Sequence, residues 1–109
     1  MEYKFINLCP HPVRIRRVSD GGFDIYERCE TPARAYGDVK VIGIKGDYLI
    51  KDIDVDSAIV VNVPEPQEGI IYIVSRAVKR DLPDREDLLV PSPIRDETGR
   101  TIGADALMP

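Results

Sequence analysis

The chain predicts a mainly β fold, a small barrel or sandwich, with one short α-helix after its central strand. Three observations lead there. The apolar part of its 109 residues is mostly Ile, Val, Leu and Ala, and the β-branched share favours sheet over helix bundle. Short apolar runs alternate with turn signals along the whole chain, as in small all-β folds. The run Ile70-Ile71-Tyr72-Ile73-Val74 is too continuous for a strand wet on one face and too short for a typical helix. It reads as the central strand, buried on both faces. The length predicts a single domain over 1–109, with a core of little margin.

In chain order, Glu2–Leu8 alternates as a strand, with Tyr3 and Phe5 on one face and Ile6 and Leu8 on the other. Cys9-Pro10-His11-Pro12 interrupts it. The two prolines hold His11 extended and remove two backbone donors, which makes a stiff corner. Val13–Val18 and Phe23–Arg28 flank Asp20-Gly21-Gly22, a hairpin signal. The alternation places Phe23 and Ile25 inward, with Asp24 and Tyr26 facing Arg14 and Arg16 across the ladder. Ala33–Tyr36, Val39–Ile44 and Tyr48–Ile53 follow as strands, with turns at Gly37-Asp38 and Lys45-Gly46-Asp47. Ala58–Val63 is a second apolar run and the expected partner of the central strand.

Pro64-Glu65-Pro66-Gln67-Glu68-Gly69 joins those two runs as a stiff polar connection. After Val74 the chain turns polar, and Ser75 is a natural N-cap for a short helix that Pro83 ends. Leu88-Leu89-Val90 is apolar and expected to close at Pro91-Ser92-Pro93. Asp96-Glu97-Thr98-Gly99 is a turn before a last strand over Arg100–Leu107, with Gly103 as a bulge.

The net charge of −4 is unevenly spread: residues 37–74 hold three basic and seven acidic side chains. Duplex nucleic-acid binding needs a net basic face and is not expected. No apolar run is long enough to span a bilayer and no charged-then-apolar leader opens the chain, so the reading is a cytoplasmic protein away from membranes. Two cysteines, Cys9 and Cys29, are too few for a disulfide framework and read as packing residues.

The most coherent chemical signal is the run of Arg76, Arg80, Arg85, Arg95 and Arg100. Arg76 follows Ser75 at the strand-to-helix step, and guanidinium groups there suit a phosphate or carboxylate. The competing reading is internal pairing, since Asp81, Asp84, Glu86, Asp87, Asp96 and Glu97 are interleaved with them. His11, the only histidine, can bind a ligand or act as acid or base, with Asp87 as its partner. It can equally cap a strand corner. Asp52, Asp54 and Asp56 lack the glycine of a calcium loop, and Cys9 with His11 is too few ligands for zinc; no metal or cofactor is expected.

Ile6-Asn7-Leu8-Cys9-Pro10-His11-Pro12-Val13 resembles the opening of a group of small bacterial, archaeal and phage proteins that begin with Asn-Leu-Thr-Pro-His. Tyr72-Ile73-Val74-Ser75, Arg85-x-Asp87-Leu88, Pro91, Arg95-Asp96, Gly99 and Gly103 are similar to their later part. Cys9 stands where the group has Thr. The resemblance implies an accessory or host-interaction role of viral or mobile-element type and carries no activity with it. The leading expectation is a non-enzymatic, self-associating protein that holds a small anion, of nucleotide-signal type, between Ser75, Arg76, Arg85 and Arg95, with Asn7 and His11 on the rim. Two others stand beside it: a small hydrolase or phosphodiesterase using His11 and Asp87, and a structural, virion or interaction protein with no small ligand.

Overall fold

The computed structural model describes residues 2–109. β1 (Lys4–Asn7), β2 (Val13–Arg16) and β3 (Phe23–Tyr26) open the chain, followed by β4 (Arg34–Tyr36), β5 (Val39–Lys45) and β6 (Tyr48–Ile53). A 3-10 turn at Val55–Ser57 leads to β7 (Ile59–Val61) and β8 (Ile70–Ile73). Then come α1 (Arg76–Asp81), β9 (Leu88–Arg95) and β10 (Thr101–Met108).

Six strands form one sheet in the order β1-β8-β9-β10-β2-β3. β8 runs parallel to β1 and to β9, while β9–β10 and β2–β3 are antiparallel. The outer strands of this sheet come together at one end. The Asn7 amide donates to the carbonyls of Tyr26 and Glu27, and the Phe5 and Tyr26 rings meet edge-on at 6.5 Å. The sheet is thus a nearly closed barrel, and the fold is mainly β with one short helix.

Both sides of β8 are covered. Inside the barrel, Ile73 packs with Cys9 and Val13, bordered by Phe5, Ile15, Tyr26 and Leu107. Outside, Tyr72 and Val74 pack with Leu8, Leu88, Val90 and the helix residue Val78. The antiparallel pair β4–β7 borders this second core through Ala35 and Val60. Each fully buried Ile, Val or Leu here contributes roughly 1.5–3 kcal/mol relative to exposure. This double burial is why the run at Ile70–Val74 shows no polar alternation.

Three sequence expectations are corrected. Ala58–Val63 supplies β7, which pairs with β4 and not with β8. The true neighbours of β8 are β1 and β9. In the first hairpin, Val13 opposes Tyr26 and Arg16 opposes Phe23. Tyr26 therefore faces the core, Ile25 is open to solvent, and Phe23 lies outside beneath the guanidinium groups of Arg14 and Arg16, 4.6 and 5.3 Å from its ring centre. A register one residue from the expected one exchanges the two faces of a strand. The turn sets it, with Arg17 N bonded to Gly22 O.

The third correction concerns Pro91 and Pro93, which do not end the strand: β9 runs through both. Tyr72 N donates to Asp87 O and Val74 N to Leu89 O, so odd-numbered positions of this segment turn their backbone groups toward β8. At Pro91 and Pro93 that side lies past the end of β8, where no donor is required.

β5 and β6 form a sheet of their own. They make a long hairpin, and every residue of β5 is exposed. The molecule measures 54 × 39 × 24 Å.

Candidate functional site

At the end of β8 the chain passes from buried Val74 to exposed Ser75. Ser75 is extended (φ −72°, ψ 160°), and its hydroxyl accepts from Val78 N at 3.3 Å, capping α1. Val78 anchors the helix in the outer core and is wholly buried. Leu82 N closes the other end on Val78 O and Lys79 O, and Pro83 follows. With 3.6 residues per turn, Arg76, Lys79 and Arg80 share the face opposite Val78. They line an open cleft of about 770 Å³ with Glu86, Val90 and Met108. Arg80 reaches Asp81 at 3.5 Å, and the Lys79 ammonium donates to Arg85 O. Among the described residues Arg76 makes no ion pair within 4.0 Å.

Arg85 and Arg95 point to other tasks. Arg85 grips both oxygens of Asp87 at 2.8 Å and also donates to Pro64 O at 2.8 Å. This fork ties the proline-rich connection before β8 to the start of β9. The Arg85 hydrogen bonds hold the Asp87 carboxyl below the usual range, against the opposing effect of its partial burial. Arg95 donates to Gly99 O at 3.1 Å, within the turn that Asp96 organises by accepting from Thr98 and Arg100.

Asn7 is buried and bonded within the fold. Its amide nitrogen is shared among the carbonyls of His11, Tyr26 and Glu27, and its oxygen accepts from Cys9 N. The His11 side chain stands exposed, with Nδ1 3.1 Å from Pro12 O. It borders a shallow hollow of about 250 Å³ with Arg14, Pro91, Pro93 and Ile102. His11 and Arg76 thus line different hollows, and Arg85 and Arg95 line neither. Asp87 is held by Arg85, and among the described residues His11 makes no hydrogen bond to it. No metal-holding group of three His, Cys, Asp or Glu residues occurs among the described residues.

Comparison with known proteins finds no matching family model, no matching curated protein and no matching solved structure.

The feature that sequence reasoning missed is the β5–β6 arm. The strands themselves were legible, but their exposure was not. Cross-strand partners share a face of a sheet. Val39 opposes Ile53, Val41 opposes Lys51, and, after a bulge, Ile44 opposes Leu49. Ile53, Lys51 and Leu49 alternate along β6, so these six side chains lie on one face. Its apolar members are 36–68% exposed. The other face carries Lys40 opposite Asp52, Gly43 opposite Ile50 and Lys45 opposite Tyr48, a mixture of charged and apolar groups. The first face is the more apolar of the two, and among the described residues nothing covers its apolar members enough to bury them. An isolated two-stranded hairpin is at best marginally stable in water. The signal available in the sequence was the alternation of Val39, Val41, Leu49 and Ile53 in a segment rich in Asp.

Proposed function

We propose that the protein is an interaction or structural protein of viral or mobile-element type, one that works as an assembly of chains and not by turnover of a substrate. The observation that carries this reading is the open apolar face of the β5–β6 arm. A contiguous exposed apolar face marks a contact surface. The engagement of Arg85 by Asp87 and of Arg95 by its own turn also supports it, because these side chains already serve the fold. Native mass spectrometry of the protein isolated from its own source tests the reading. The expected species is an assembly with no bound small molecule. A monomer carrying a nucleotide or other anion would refute it.

A second reading, a small-anion site, rests on one observation: Arg76, Lys79 and Arg80 stand together on one cleft. Its test is binding of a nucleotide panel, with Arg76→Ala and Arg80→Ala expected to abolish it.

A further inference from the structure

We infer that the barrel rim around Arg14 takes a short single strand of nucleic acid, with one base in the hollow beside His11 and the adjoining phosphates on Arg14 and Arg16. This surface is separate from the β5–β6 arm, and the inference goes beyond the interaction reading above without resting on it.

Arg14, Arg16 and Arg17 lie close together in sequence and are used differently. Arg17 is taken up by Asp20 at 3.0 Å and Asp24 at 2.7 Å. Arg14 and Arg16 are exposed, and among the described residues neither has a carboxylate within 4.0 Å. Both are held instead against one ring, 4.6 and 5.3 Å from the centre of Phe23. That ring has room because residue 103 is glycine: a Cβ there would stand 3.1 Å from Phe23 Cε1. Stacking orders the two guanidinium groups and leaves their edges open, except where Arg14 donates to Ile102 O at 3.4 Å. Cations already ordered lose less freedom when an anion arrives.

Arg14 also borders the hollow of about 250 Å³ formed with His11, Pro12, Pro91, Pro93 and Ile102. Among the described residues no carboxylate lines it, and none of the acid-rich residues 37–74 reaches it. Its walls are chiefly apolar, and the flat rings of proline and histidine suit another flat ring. At about 250 Å³ it is smaller than the roughly 300–1,000 Å³ of pockets that enclose a whole small molecule. It therefore fits one ring of a longer ligand. A place for a ring and two ordered cations thus meet at Arg14. Nucleic acid carries a phosphate and a base on every unit, whereas an acidic peptide carries charge and ring on different residues. A base must leave its stack to enter the hollow, which selects a single strand over a duplex. Arg14 and Arg16 are two residues apart on β2, about 6.7 Å along the strand, so each can meet a different phosphate.

The experiment is fluorescence anisotropy of a labelled single-stranded oligonucleotide of about 12 nucleotides, titrated with the full chain at about 50 mM salt. The expected dissociation constant lies between about 1 and 100 μM, in the range of sequence-independent binding. With two phosphates engaged, log K should fall with log salt at a slope of about −1.4. Arg14→Ala and Arg16→Ala should each weaken binding about three- to tenfold and make that slope shallower by about 0.7. Arg76→Ala, in the cleft beside α1, should change neither quantity. Unchanged circular dichroism shows that the variants remain folded. Absence of binding up to about 200 μM protein overturns the inference, as does binding that both β2 arginine variants leave intact. Equal competition by a mononucleotide, by the matching duplex or by a glutamate polymer also overturns it, because each would assign the surface to a different ligand.

Discussion

The Asn7 amide nitrogen lies 3.2 Å from the Tyr26 carbonyl oxygen, and this bond joins the first strand of the barrel sheet to its last. A backbone ladder does not close the sheet there; a side chain does. The same nitrogen reaches His11 O and Glu27 O, so one buried amide also fixes the proline corner and the strand exit. Asn7→Leu would leave the buried Cys9 N without its partner and take the amide from the three half-buried carbonyls. The expected loss is about 2–4 kcal/mol, read from urea unfolding. Asn7→Asp should be worse at neutral pH than near pH 3, because an ionised carboxylate would face the carbonyl oxygens while a protonated one can donate.

The Arg85–Asp87 fork predicts a pH dependence. Asp87 titrates below its ordinary value of 3.8 in the folded protein, chiefly because Arg85 hydrogen-bonds its charged form. On acidification the unfolded chain therefore takes up this proton first. The stabilisation is present above the unfolded value and is lost as the pH falls through the lower, folded one. Between about pH 5 and 2 the wild type should lose more stability than Asp87→Asn. Equal slopes for the two proteins in that range would show that the fork contributes nothing to acid unfolding.

Much of the fold was legible because its signals are local. The unbroken run at Ile70–Val74, the Ser75 cap and the Asp96–Gly99 turn are each set by a few adjacent residues. What was not legible depends on partners distant in the chain. Pro91 and Pro93 look like strand breakers until β8 is seen to end beside them. Phe23 and Tyr26 exchange faces because the turn at Arg17–Gly22 sets a register that alternation alone leaves open by one residue. The candidate site suffered most. Arg85, Arg95 and Asn7 resemble ligand-binding groups in a string of letters, and only their hydrogen-bond partners show them employed in the fold. The apolar face of the arm was hidden for the converse reason. Val39, Val41 and Leu49 carry the pattern of a core strand, and no local feature distinguishes a buried apolar face from an exposed one.

The two thiols should behave differently. Burial, with a smaller contribution from nearby Cys29, pushes the Cys9 thiol up to about 11 from an ordinary 9.0. Thiolate is the reactive form. A thiol reagent should therefore label half-buried Cys29 first and reach Cys9 only on unfolding. The sign of the linked stability follows. Above pH 9.0 the unfolded chain loses the Cys9 proton while the folded one keeps it up to about 11. The protein is thus destabilised progressively across that window, by about 2–3 kcal/mol at its upper end. Cys9→Val should flatten this alkaline limb in denaturant titrations.

The two faces of α1 predict opposite sensitivities to substitution. Val78 is wholly buried against Leu8, Val74 and Leu88, so Val78→Ala opens a cavity and should cost about 1–3 kcal/mol. Ser75→Ala removes the cap on Val78 N and should cost about 1 kcal/mol. Arg76 and Arg80 face the cleft and are exposed, so replacing either by Ala should stay within about 0.5 kcal/mol of wild type. Thermal or urea unfolding of these variants separates the residues that hold the helix from those it merely displays. If Arg76→Ala proved as costly as Val78→Ala, the cleft arginine would belong to the fold, and an anion site there would lose its basis.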